Sequence, residues 1–229
     1  MLRFEGLEKH YGGKTVFSGL AYQFEAGCHA LQSPNGSGKS TLLGMLAGVV
    51  ATDGGEVRIS GASLQREPLQ AKARLAYVPD ACPIYPFMTG REFLALVASA
   101  KHCSLGPDTL ERVTRLGLDP HLDIRVEQMS LGTQKKLMLS ASSIGDPAVI
   151  IADEPSIAID DTAREVLIEY FVTASRHRVV LFSTHDDSLA QACGARVVTM
   201  SDLAEHTKRF AGSLGQDITT SRPAAGSQR

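Results

Sequence analysis

Ser33-Pro34-Asn35-Gly36-Ser37-Gly38-Lys39-Ser40-Thr41 is the stretch that decides how this chain is read. It follows a short apolar run, Cys28-His29-Ala30-Leu31, and leads into residues 39–49, which are apolar on nearly every face. A strand, a glycine loop and a buried helix are expected in that order. The stretch comes close to the G-x-x-x-x-G-K-[ST] phosphate-loop pattern, with Ser33 where the first glycine is usual. Glycines at 36 and 38 let the backbone wrap and turn its N–H groups inward, where they and the helix N-terminus can hold phosphate oxygens. Lys39 is placed to meet β- and γ-phosphates and Ser40 a bound Mg²⁺. Ser33 keeps a Cβ at a glycine position, so a slight strain of the turn is expected.

On either side of this loop, short patterned segments alternate with turns. Residues 2–24 read as strands broken at Tyr11-Gly12-Gly13 and followed by Ala26-Gly27. Asp53-Gly54-Gly55 is a turn, and Glu56-Val57-Arg58-Ile59-Ser60 alternates as a half-buried strand that joins the opening sheet. Thr89 and Glu92 have capping-box spacing, and Phe93, Leu96, Val97 and Ala100 recur at helical intervals, which predicts a helix starting there. Residues 86–143 read as mainly helical. Ser130 is a natural N-cap for a helix whose apolar face carries Leu137, Ala141 and Ile144. Residues 148–152 and 179–183 are β-branched runs typical of buried parallel strands, and Ala163, Val166, Leu167 and Tyr170 give a helical face between them, making a βαβ unit. Residues 1–210 read as one domain with a helical subdomain over about 84–143, and the small, polar segment 211–229 as a mobile tail.

Composition narrows the functional classes. The chain has 229 residues and a net charge of −2, with no basic stripe, so nucleic acid is not an expected partner. Its four cysteines, Cys28, Cys82, Cys103 and Cys193, lie far apart and read as reduced thiols rather than metal ligands. No apolar run approaches the roughly 20 residues that a membrane-spanning helix needs. The N-terminal segment lacks a signal-peptide layout, and a cytoplasmic location is expected.

The second half of the chain adds chemistry. Val149-Ile150-Ile151-Ala152-Asp153-Glu154-Pro155 is an apolar strand ending in two carboxylates. Asp153 can hold the shell of a Mg²⁺ ion, while Glu154, at the carboxyl edge of the strand, can accept a proton from an attacking water. This segment resembles the Walker B motif of ABC ATPases, and Met129-Ser130-Leu131-Gly132-Thr133-Gln134 resembles their signature, usually L-S-G-G-Q. Tyr11, the phosphate loop, Tyr77-Val78-Pro79-Asp80, the signature, Asp153-Glu154, Ile159-Asp160 and His185 follow the family's order over about residues 1–205.

That resemblance implies an α/β fold: a RecA-like P-loop NTPase core with an antiparallel β subdomain and an inserted α-helical subdomain. It implies ATP and Mg²⁺ as ligands, and a dimer with a second copy or a homologous ATPase subunit in which Ser130 and Gly132 of one subunit contact the γ-phosphate held by the other. His185 corresponds to a γ-phosphate-sensing switch histidine and Tyr11 to an aromatic stacked on adenine. Asp80 stands where the family has Gln or Glu, a position that reaches Mg²⁺ through water. The function implied is that of the ATP-hydrolysing subunit of an ABC transporter, peripheral on the inner face of the membrane and paired with a separate integral-membrane permease. The apolar stretch next to Asp80, with Ile84, Tyr85, Phe87 and Met88, reads either as the docking surface for that permease or as part of the subdomain core. Thr89–Phe93 and Ser130–Lys136 are similar to exporter ATPases paired with ABC-2-type permeases, and Asp153–Asp160 is similar to haem-exporter ATPases. A soluble ABC ATPase and a weakly hydrolysing regulatory subunit are the alternatives.

Overall fold

The computed structural model describes residues 1–217. Strands β1 (Leu2–Tyr11) and β2 (Lys14–Phe24) form an antiparallel hairpin, and β4 (Gly54–Ile59) and β5 (Ala62–Ser63) extend it in the order β2-β1-β4-β5. A second sheet is wholly parallel, in the order β6-β7-β8-β3-β9, from β6 (Leu75–Val78), β7 (Val149–Ala152), β8 (Val179–Ser183), β3 (Gly27–Leu31) and β9 (Arg196–Val198). Helix α1 (Lys39–Leu46) follows β3, and α2 (Pro68–Ala73) precedes β6. Helices α3 (Gly90–Ala100), α4 (Pro107–Arg115) and α5 (Leu131–Ala141) lie between β6 and β7. Helix α6 (Asp161–Ser175) links β7 to β8, α7 (Asp187–Ala192) follows β8, and α8 (Met200–Asp217) follows β9.

The central parallel strands β7 and β8 are buried on both faces, as their unbroken apolar runs require. Successive side chains point to opposite faces. Val149 and Ile151 of β7, with Val179 and Leu181 of β8, pack into a core shared with α1 and the antiparallel sheet. Ile150, Ala152, Val180 and Phe182 instead enter a second core with α3, α5 and α6. Helix α1 lies within the first core with Leu42, Leu43, Met45 and Leu46 all at 0% exposure, which explains why its sequence is apolar all round.

Local capping and packing define two of the helices. The capping box of α3 forms, with Glu92 N–H donating to Thr89 Oγ1 at 3.2 Å and Thr89 N–H to Glu92 Oε2 at 2.8 Å. Its buried stripe is nevertheless Leu94 and Ala98, with Phe93 and Val97 half-buried, while Leu96 is 45% exposed and Ala100 is exposed. Residues 93–98 are apolar at every position, so periodicity cannot choose the face; packing against α5 does. Helix α8 runs to Asp217, into the segment expected to be a tail; residues 218–229 lie outside the described residues. Thr199 and Asp202 make a second capping box that starts this helix, and Thr207 Oγ1 accepts from Ala21 N–H at 2.9 Å to seat it on β2.

Leu42→Ala is expected to lower unfolding free energy by about 2–5 kcal/mol, since it opens a cavity among fully buried side chains. The control Leu69→Ala, at a side chain 85% exposed, should stay within about 0.5 kcal/mol. Urea denaturation midpoints measure both, and equal losses would contradict the placement of α1.

Candidate functional site

All strands of the second sheet run the same way, so the segments leaving β3, β6, β7 and β8 emerge along one edge. That carboxyl edge is where open α/β sheets place their ligands. The phosphate-loop stretch follows β3, Asp80 follows β6, Asp153 and Glu154 follow β7, and His185 follows β8.

The loop is tied down at both ends. Gln32 N–H donates to Val198 O at 2.9 Å, and Leu42 N–H closes the first turn of α1 on Gly38 O at 2.8 Å. Gly38 has φ +96°, and a Cβ there would come within 2.9 Å of Phe17 Cζ, so the backbone conformation and the neighbouring ring both demand glycine. The strain expected at Ser33 is not found, since its φ lies outside the left-handed region. Its hydroxyl accepts from Met200 N–H at 2.9 Å and donates to Gln32 O, tying the loop to the start of α8. Among the described residues the Ser37 hydroxyl, buried within the loop, has no hydrogen-bond partner, as suits a group that meets a ligand oxygen. Pro34, Asn35, Gly36 and Ser40 are exposed, and Thr41 is half-buried.

Lys39 is 7% exposed, and its ammonium lies across the loop. It donates to Ser33 O at 2.6 Å and Pro34 O at 3.3 Å and sits 3.2 Å from His185 Nε2. The same Nε2 is 3.5 Å from Glu154 Oε1. One imidazole nitrogen therefore faces both a cation and a carboxylate, and it cannot accept from Lys39 and donate to Glu154 at once.

Ser183, at the end of β8, organises the two carboxylates. Its hydroxyl donates to Asp153 Oδ1 at 2.5 Å and accepts from Glu154 N–H at 2.9 Å. Asp153 is 3% exposed, and its own N–H is bound to Val78 O at 2.7 Å. Glu154 adopts φ +45°, a left-handed conformation that costs a non-glycine residue about 1–3 kcal/mol and that clusters at functional sites. Burial raises the Glu154 pKa; His185 and Lys39 oppose the shift, while Asp153 and Asp80 add to it. The Tyr77 phenol beside them is pushed up to about 12 by burial and by the charges of Asp153 and Asp80.

Lys39, His185, Glu154 and Asp153 are thus brought together. Among the described residues no hydrogen bond or ion pair joins Ser130 or Tyr11 to that cluster. Ser130 caps α5, accepting from Thr133 N–H at 3.1 Å, and a Cβ on Gly132 would come 2.3 Å from Ala158 O, so glycine is needed for the approach of the two backbones. Tyr11 is 51% exposed at the hairpin end, with Lys9 Nζ 5.0 Å from its ring centroid. The carboxylate of Asp80 is engaged by Lys135 Nζ at 3.3 Å. Sequence reasoning missed Ser183 and Lys135. A serine closing an apolar strand, and a lysine on the buried side of the Ser130 helix, were the available signals.

Similarity to known proteins identifies the family and the fold. The family model described as "ABC transporter" matches residues 19–157. Nod factor export ATP-binding protein I of Paraburkholderia xenovorans (strain LB400) is 35% identical over 192 residues, covering 80% of this chain and 62% of that protein. The chain therefore spans less than two-thirds of that relative's length. A solved ATP-binding subunit of an ABC transporter superposes with a TM-score of 0.78 at 25% identity, covering 87% of this chain and 85% of the other. A dimeric ATP-binding cassette in a post-hydrolysis state, bound to ADP and Pi, shares the fold with a TM-score of 0.76 at 20% identity, covering 87% of this chain and 94% of the other. With the family model spanning more than half of its length and the folds superposing, the chain belongs to the ABC transporter family and has the ABC ATPase fold.

Proposed function

We propose that this chain is the ATP-binding and ATP-hydrolysing subunit of an ABC transporter, closing as a dimer over two ATP to drive a separate membrane permease, in the direction of export. The observation that carries this reading is the meeting of Lys39, His185 and Glu154 within 3.5 Å contacts around one imidazole nitrogen at the mouth of the phosphate loop.

In this reading the inward N–H groups of residues 35–39 hold the β-phosphate, and Lys39 exchanges its contacts with the loop carbonyls for β- and γ-phosphate oxygens. Ser40, exposed in the first turn of α1, and Asp153, fixed by Ser183, offer the hard oxygen donors that suit Mg²⁺. When bound, that ion neutralises charge on the phosphates. Glu154 takes a proton from the water that attacks the γ-phosphorus, the new P–O bond forming as the bond to the bridging oxygen breaks. Once Lys39 turns to phosphate, His185 Nε2 is free to serve Glu154 or the γ-phosphate, so the imidazole senses which ligand is present. Ser130, at the exposed N-terminus of α5, offers its hydroxyl and the first-turn N–H groups to the nucleotide of a second copy. Tyr11 offers an open ring face to adenine.

The name of the Nod factor export relative supports the exporter reading, and the dimeric cassette with the same fold supports the two-copy assembly. No described helix is long and apolar enough to cross a membrane. The peripheral place at the cytoplasmic face belongs to the same reading, in which the membrane-spanning part is a separate permease. The docking surface is narrower than expected. Ile84 is 7% exposed and belongs to the core, and Met88 is half-buried, whereas Tyr85 and Phe87 are 60% and 66% exposed and stack at 5.5 Å. Two adjacent exposed aromatics are hot-spot material for a partner.

Glu154→Gln should reduce ATP turnover by at least about 100-fold and trap an ATP-bound dimer, read by phosphate release and light scattering. Equal, negligible rates for wild type and variant would instead favour the regulatory-subunit reading. Because Glu154 must be ionised to accept a proton, turnover should fall as pH drops through its raised pKa. The acid limb of the rate profile should therefore lie above the ordinary carboxylate value of about 4.3. A limb at or below that value would separate the rate from Glu154. The double variant Tyr85→Asp with Phe87→Asp should keep ATP binding and lose recovery with the membrane fraction of cells. Unchanged recovery would remove these aromatics from the docking surface.

A further inference from the structure

Two consecutive lysines of α5 reach in different directions, as residues 100° apart on a helix must. Lys135, only 2% exposed, donates to Pro79 O at 3.1 Å and faces Asp80 Oδ1 at 3.3 Å. Lys136 pairs with Asp160, which also caps α6 by accepting from Ala163 N–H at 2.8 Å. Pro79 and Asp80 leave β6, and Asp160 closes the loop that leaves β7. Those strands are neighbours, tied at their ends by Asp153 N–H to Val78 O. The Gly132 approach to Ala158 O packs the first turn of α5 directly on the second loop. The helix that begins at Ser130 is therefore fastened to two adjacent core strands, by one lysine each.

A buried ammonium is tolerated when acceptors and an opposite charge compensate it. Pro79 O supplies one acceptor of Lys135, and Asp80 supplies the charge. The aspartate that departs from the family pattern thus has a partner of its own within the chain.

We propose that Lys135 and Lys136 form a two-armed latch that fixes the Ser130 tip relative to Glu154, and that Asp80 is a positioning residue acting through Lys135 rather than a ligand of the nucleotide-bound cation. The functional consequence rests on the dimer reading above, in which the Ser130 tip serves a partner's nucleotide. The mechanical part does not, since the latch lies within one chain.

The decisive variants at position 80 separate charge from ligation. Glutamine is neutral yet offers a carbonyl oxygen to a cation, whereas glutamate keeps the charge. In the full chain without nucleotide, hydrogen–deuterium exchange over residues 131–136 should quicken about tenfold in Asp80→Gln and in Lys136→Ala, and stay within about twofold of wild type in Asp80→Glu. Lys135→Met, which removes that arm outright, should quicken exchange to a similar degree, and adding Asp80→Gln to it should change nothing further, because the aspartate acts only through the ammonium. The Mg²⁺ concentration for half-maximal ATP binding should be the same in wild type and Asp80→Gln, while ATP-dependent dimerisation weakens about tenfold in Asp80→Gln and recovers in Asp80→Glu. Unchanged exchange in both Asp80→Gln and Lys136→Ala would overturn the latch, and a several-fold shift of the Mg²⁺ midpoint would make Asp80 a metal ligand. A wild-type chain that binds ATP but stays monomeric would overturn the dimer reading, with the exchange data still judging the latch.

Discussion

The hydroxyl of Ser183 is the joint on which the site depends. By donating to Asp153 and accepting from the Glu154 N–H, it uses one buried oxygen to hold two adjacent carboxylates in different orientations. Without it, Asp153 would be a buried carboxylate short of a donor, and the left-handed turn at Glu154 would lose a bond that offsets its strain. Strand pairing sets where that hydroxyl lies: β8 runs beside both β7 and β3, so Ser183 lies between the carboxylates and the phosphate loop. The division of labour between two neighbouring acids is therefore a property of sheet register as much as of the acids themselves.

The electrostatics of the cluster follow from this arrangement. Burial pushes the Glu154 carboxyl up, and His185 and Lys39 limit how far it rises. His185 is shared between the two signs of charge, so anything that draws Lys39 away also changes what the imidazole can offer Glu154. Nucleotide binding and the state of the base are linked through that single nitrogen.

Much of the fold was legible because its signals are local. The strand, glycine loop and buried helix around Lys39, the carboxylates at the end of β7, the Thr89 and Ser130 caps and the apolar face of α6 all lie within short windows of sequence. What escaped notice depends on packing at a distance. Six successive apolar residues conceal which side of α3 is buried; Asp80 and Lys135 are remote in sequence; and the use of the Ser33 hydroxyl is visible only once α8 is seen beginning beside it. Helix α8 itself was hidden by composition, since small polar residues in its later turns resemble a linker although Thr199 and Asp202 start a helix.

The alternation of side chains along β7 and β8 has a consequence for how the molecule comes apart. Each of these strands contributes every other residue to a different core, so neither core can melt while its neighbour stays intact. The central strands should belong to the slowest-exchanging unit of the protein, whatever happens in the peripheral helices. Proteolytic trimming is thus not expected to release a self-standing half, and selection for a firmer fold on one side of the sheet would stiffen the other side as well.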